Sequence, residues 1–166
     1  MSKFEWHDER LRTAIDKSRS AIQTRLQELN RVSHDVKEFE RFLVESAVFE
    51  RAQYMFVNDS HAIGDPIDAQ EYGESAAEEI CEYIVWEKLA NSDRWRLMYL
   101  RTHRYGWFSV DDMEEVPGGF VFEDEPKVIE LRPLIETESD VRLRAHEALP
   151  NLLNLIAANT KISRLA

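Results

Sequence analysis

Aliphatic residues recur at every seventh position in the first third of this chain, and that row constrains the fold more than any other feature. Seven residues are close to two turns of an α-helix, so side chains at this interval lie along one face. No glycine or proline interrupts residues 1–63. The sequence therefore predicts a long N-terminal helix with an apolar face that must be covered. The row consists of Ile15, Ile22, Leu29, Val36 and Leu43.

The companion positions of this heptad are only half apolar. If the row is position a, position d holds Leu11, Ser18, Arg25, Val32, Phe39 and Ser46. A strict two-position seam is typical of a free-standing coiled coil, whereas a wider stripe suits a helix packed on a globular body. Packing within the chain and docking of a partner both stay open, and the row is the candidate oligomer interface. We expect one helix from about residue 8 to about residue 57, with a helical hairpin broken near residues 30–35 as the alternative.

Composition limits the class of protein. With 166 residues, 43% of them hydrophobic, the chain is long enough for one domain with its own core. Its net charge of −11 repels phosphate backbones, which argues against direct nucleic-acid binding. The single cysteine, Cys81, can form no internal disulfide, and no apolar run resembles a signal peptide or a membrane span. We therefore expect a cytoplasmic protein without membrane contact.

The order of the predicted elements indicates an α+β fold. We divide the chain into the N-terminal helix over residues 1–57, a loop over 58–74 and an α+β body over 75–166. The expected architecture is the long helix, a small antiparallel sheet of three or four strands, and a kinked C-terminal helix packed on the sheet.

A β-hairpin is predicted at the centre of the body, with strands over 81–89 and 94–102. A turn at residues 90–93 sets opposite charges against each other and apolar residues against each other, as cross-strand neighbours require. The register is Glu82–Arg101, Ile84–Tyr99, Val85–Met98, Trp86–Leu97 and Glu87–Arg96. A short helix near 75–80 is expected before the hairpin, because Ser75 and Glu78 match a helix-capping pattern.

The rest of the body adds two short strands and a helix. Residues 120–122 and 127–131 have the composition of strands, and Thr137 followed by Asp140 predicts the start of the C-terminal helix. Pro150 lies within the apolar stripe of that helix. An interior proline costs about 3 kcal/mol, so we expect a kink or a division into two helices.

No sequence motif for catalysis, cofactor binding or metal binding is specific enough to assign. The histidines do not pair with other ligands at helical spacing, and only His61 could cluster with Asp65 and Asp68 in the loop. Cys81 lies among apolar residues, which is typical of a buried and unreactive thiol. We therefore predict no catalytic residue, no cofactor and no metal.

Residues 94–107 are the most unusual local stretch, with four arginines, four aromatic residues and no acid. This composition is typical of protein hot spots and of nucleic-acid stacking surfaces, unless the arginines pair with acids of the same chain. Alternate residues of a strand share one face, and we expect the aromatic face to cover the core. That face holds Trp95, Leu97 and Tyr99. The exposed set, a candidate partner interface, is Arg96, Arg104 and Trp107.

These features predict a non-catalytic interaction or assembly module. We expect it to self-associate through the N-terminal helix, as a dimer in the simplest case, and to bind a further protein. One alternative is an acidic inhibitor that imitates nucleic acid through the acidic clusters at residues 111–115 and 123–125. Another is an enzyme with a site in those loops or around His61.

Overall fold

The computed structural model describes residues 8–63, 74–90, 92–109, 119–122 and 125–163. The elements in chain order are α1 (Glu9–Glu45), β1 (Ala52–Ile63), β2 (Glu74–Lys88), β3 (Trp95–Ser109), β4 (Phe120–Val121), β5 (Lys127–Pro133), a 3₁₀ turn (Leu134–Glu136) and α2 (Ser139–Ser163).

The strands form one antiparallel sheet. β2 lies between β1 and β3, and the far edge of β3 is shared by β4 and β5. Buried residues of α1 and α2 belong to one core with residues from the same face of this sheet. The predicted α+β architecture is confirmed, and the described residues form five strands instead of the three or four expected.

α1 ends in a motif that carries no glycine. The carboxylate of Asp8 caps the first turn by accepting hydrogen bonds from two backbone N–H groups. At the other end Ala47 has a φ of 54°, and the N–H of Val48 donates to the carbonyl of Leu43 while that of Ala47 donates to the carbonyl of Val44. These paired bonds close a Schellman motif, in which glycine is the usual residue at the left-handed position.

The prediction of helix to residue 57 is therefore wrong, and so is the prediction of a loop at residues 58–63, whereas residues 64–73 of that loop lie outside the described residues. β1 occupies Ala52–Ile63 and pairs with β2 along most of its length. The segment contains residues that favour strands, among them Tyr54, Phe56 and Val57.

The β2–β3 hairpin has the predicted register at all five pairs. The predicted helix near 75–80 is wrong, because β2 begins at Glu74 and pairs with both β1 and β3. Hydrogen bonding along two edges outweighs a local capping pattern, whose contribution is about 1 kcal/mol.

β4 and β5 confirm the two predicted short strands. β4 approaches β3 so closely that a Cβ atom on Gly106 would lie 2.1 Å from the carbonyl oxygen of Val121. Only glycine can therefore occupy position 106 without displacing β4.

Thr137 is not the N-cap of the C-terminal helix. Its hydroxyl donates to the carbonyl of Leu134 at 2.7 Å and closes the 3₁₀ turn, while α2 begins at Ser139. α2 continues through Pro150 as one helix, so it is not divided in two.

The principal core lies between the sheet and the two helices. Trp86 is fully buried there, and its indole N–H donates to the carbonyl of Val48 at 2.9 Å. The prediction for the aromatic face of β3 is confirmed, since Leu97 and Tyr99 are buried and Trp95 packs beside them. The buried members also include Val36, Leu43, Ile84, Ala145, Leu149, Leu152 and Ile156.

Candidate functional site

Residues 9–27, the N-terminal half of α1, take no part in the core. We call this segment the arm. Every residue in it is exposed except Ile15, which is partly covered, and the first buried residue of the helix is Val32. The arm is therefore a helical surface available to another molecule.

An apolar stripe lies on the arm. Leu11, Ile22 and Leu26 are 44%, 60% and 54% exposed. Leu11, Ile15 and Ile22 line a shallow groove together with Ala14 and Ser18 on the same helical face. Large aliphatic side chains grouped on one exposed face are typical of a docking surface.

The five aliphatic residues of the heptad-spaced row do not form one surface. Val36 and Leu43 are fully buried in the core of their own chain, whereas Ile22 is largely exposed. A straight helix drifts by about 20° per heptad, so the side chains of Ile15 and Leu43 point about 80° apart. The candidate oligomer interface is therefore limited to Ile15 and Ile22, with Leu29 partly covered at its boundary.

Charge is segregated along the chain. The arm carries five basic and two acidic residues, a net charge of +3. Residues 28–166 carry 15 basic and 28 acidic residues, a net charge of −13. A basic segment on an acidic protein attracts anionic surfaces, including the acidic part of a second copy.

Arg96 is committed to a contact within the chain. Its Nε lies 3.0 and 3.1 Å from the two carboxylate oxygens of Glu40 on α1. The same carboxylate accepts a hydrogen bond from the N–H of Leu97 at 2.9 Å. This cluster joins the helix to β3.

Arg104 is also held by a carboxylate of its own chain. Its Nε donates to the buried carboxylate of Glu79 at 2.5 Å, and its guanidinium lies 4.7 Å from the ring centroid of Phe122. Trp107 is partly covered and pairs with Val121 of β4. The expectation that Arg96 and Arg104 are exposed is wrong, because acids of the same chain cover and bind both.

Three strands bring together a polar cluster that the sequence did not predict. The carboxylate of Glu78 on β2 accepts from His61 of β1 and His103 of β3, each at 2.8 Å. The hydrogen bond from His103 is the main reason that the pKa of Glu78 lies below its ordinary value. Asp59 lies 3.6 Å from the other nitrogen of His61.

Strand spacing rather than helical spacing is the signal that reveals this cluster. Extending the predicted hairpin register outward by four residues from Glu82 places Glu78 opposite Tyr105, beside His103. Within the described part of the chain, no group of three or more His, Cys, Asp or Glu residues is arranged to hold a metal ion. Asp65 and Asp68, expected near His61, lie outside the described residues.

Three ionisable groups, Glu82, Tyr99 and Cys81, are buried in the middle of the sheet. Glu82 is held 3.1 Å from a guanidinium nitrogen of Arg144 on α2. Burial, and secondarily the negative charge of Glu82, raises the pKa of Tyr99 well above its ordinary value. Burial also raises the pKa of the Cys81 thiol, so little of it is in the nucleophilic thiolate form.

The acidic cluster at 111–115, and residues 123 and 124 of the second cluster, lie outside the described residues. No helix among the described residues is both long and apolar enough to cross a membrane. Neither a family model nor a curated protein nor a solved structure matches this chain.

Proposed function

We propose that this protein is a non-catalytic assembly module that self-associates through the arm of α1. The observation that carries the proposal is the apolar stripe of Leu11, Ile22 and Leu26, which is exposed and contributes nothing to the core. The fold already holds this helix in place without these aliphatic side chains. Their presence on its exposed face is explained if another molecule buries them.

The arm is continuous with a helix that is fixed in the core, and this favours the docking of a partner on it. An isolated helix of about 19 residues is only marginally stable in water. The arm, however, continues into a helix whose Val36 and Leu43 are locked in the core. A partner therefore meets a preformed surface, which lowers the entropy lost on binding.

The stripe is large enough for a weak association. These three side chains are about half exposed, so burying the rest of each is worth about 1 kcal/mol, and three from each of two copies supply about 6 kcal/mol. The loss of translational and rotational freedom costs about 4–15 kcal/mol, so the stripe alone supports a weak association at most. We therefore expect a dimer that forms and dissociates with protein concentration.

Sedimentation velocity of the full chain over a range of concentrations tests the proposal. The wild type should shift from monomer to dimer as the concentration rises. The double variant Ile22→Glu/Leu26→Glu should stay monomeric, because two carboxylates would have to be desolvated at the contact.

A matched control separates the stripe from the added charge. Ser20→Glu/Gln27→Glu adds the same charge on the opposite side of the arm and should associate like the wild type. A wild-type chain that stays monomeric at the highest soluble concentration would refute self-association, and equal effects of the two double variants would refute the stripe as the contact.

An acidic inhibitor of a nucleic-acid-binding protein is the second candidate, and the net charge of −13 on residues 28–166 supports it. Binding to a histone, displaced by duplex DNA and weakened by salt, would favour this function. The absence of such binding at low salt would count against it.

A further inference from the structure

A second exposed apolar surface lies on β5. Val128, Ile129 and Leu131 are 60%, 52% and 50% exposed, and we call them the β5 patch. Among the described strands β5 pairs only with β3, so no described strand covers its other edge. Open edges with apolar side chains are potential sites of association between chains.

The chain around the β5 patch is acidic. Residues 125–138 contain four acidic and two basic residues, a net charge of −2. One of the bases, Arg132, is already paired with Glu130. The β5 patch therefore has the apolar character of the arm but the opposite charge.

The two surfaces also have similar lengths. The arm has 19 residues and spans about 28 Å at 1.5 Å per residue. β5 has seven residues and spans about 23 Å at 3.3 Å per residue. One arm can therefore cover the whole strand.

We propose that the arm of one copy docks on the β5 patch of a second copy. This inference rests on the proposed self-association and names the surface that the arm binds. Direct pairing of two arms would set +3 against +3, whereas docking on the β5 patch sets +3 against −2. If each copy docks its arm on the β5 patch of the other, the two identical contacts form a closed dimer with two-fold symmetry.

Variants of the β5 patch test the assignment in the full chain. Val128→Glu/Leu131→Glu should abolish the dimer as the arm variant does. The control Asn154→Glu/Ala158→Glu adds the same charge on the exposed side of α2 and should leave the dimer intact.

Mixing supplies a sharper test. Ile22→Glu/Leu26→Glu retains an intact β5 patch, and Val128→Glu/Leu131→Glu retains an intact arm. Neither should dimerise alone, but an equimolar mixture should form a mixed dimer through its one remaining good contact. No mixed dimer is expected if arms pair with arms and the arm variant has lost that contact.

Salt dependence of the wild type gives a readout that needs no variant. Attraction between opposite charges weakens as salt rises, so the dimer dissociation constant should increase several-fold. Arm-to-arm pairing predicts the reverse, because salt screens the repulsion between like charges.

The outcomes distinguish this inference from the proposed function. A monomeric wild type refutes both. A wild-type dimer that the arm variant abolishes, but that persists in the β5 variant and strengthens with salt, leaves the proposed function standing and overturns docking on the β5 patch.

Discussion

Alanine substitutions at two of the five residues in the heptad-spaced row should have very different effects on the free energy of unfolding. Leu43 is fully buried, whereas Ile22 is 60% exposed. Leu43→Ala removes three carbon groups worth about 0.8 kcal/mol each, and the cavity left behind raises the expected loss to about 3–4 kcal/mol. Ile22→Ala should change the free energy of unfolding by less than about 0.5 kcal/mol, because little surface is lost and alanine is the better helix former.

Urea unfolding followed by circular dichroism measures both effects, at a protein concentration where the chain is monomeric. Val36→Ala serves as an internal scale, since it removes two carbon groups from an equally buried site and should cost about 2 kcal/mol. If Ile22→Ala were as destabilising as Leu43→Ala in the monomer, the arm would be packed within its own chain, and the argument for a free docking surface would fail.

Four further perturbations test individual contacts. Ala47→Gly should raise the melting temperature, because the left-handed conformation costs a non-glycine residue about 1 kcal/mol; a lower melting temperature would argue against that conformation. The ionised carboxylate of Glu78, whose pKa a hydrogen bond lowers from 4.5, stabilises the fold above that pH, and this contribution disappears as the pH falls through the lowered pKa. The difference in unfolding free energy between wild type and Glu78→Gln should therefore shrink as the pH falls below 4.5. Cys81 should react slowly with a thiol reagent in the native state and fast in urea, and fast native labelling would contradict its burial. Arg96→Ala should cost about 1–2 kcal/mol, because the carboxylate of Glu40 would keep only its hydrogen bond from the N–H of Leu97, whereas alanine at the exposed Arg94 should be nearly neutral.

The β2–β3 hairpin could be predicted because its information is local. Glu82 and Arg101, like Glu87 and Arg96, lie within about twenty residues of each other in the sequence, and their opposite charges match in only one register. In the structure they are register partners rather than ion pairs, since Glu82 binds Arg144 and Arg96 binds Glu40. The end of α1 could not be predicted, because it depends on a left-handed backbone at Ala47, a residue type that gives no such signal. Because the sequence does not mark this turn, the predicted helix continued into the residues that form β1.

The candidate site was predictable only in part. The sequence shows the apolar row, but not that Leu43 packs in the same core as Leu152 while Ile22 stays uncovered. That division depends on where α2 lies, which is decided by contacts between distant parts of the chain. The partners of Arg96 and Arg104 were missed for different reasons, since Glu40 lies on a separate element whereas Glu79 follows from extending the hairpin register.

The shared core of α1 and α2 sets an order of events during synthesis. Roughly ninety residues separate the end of α1 from the start of α2, yet Leu43 and Leu152 bury their side chains in one cluster. Synthesis proceeds at about 5–20 residues per second, so α1 is complete several seconds before α2 is made. During that time the side chains of α1 that later pack in the core are not covered by α2. The nascent chain should therefore need a chaperone, or a compact hairpin beneath α1, until α2 emerges.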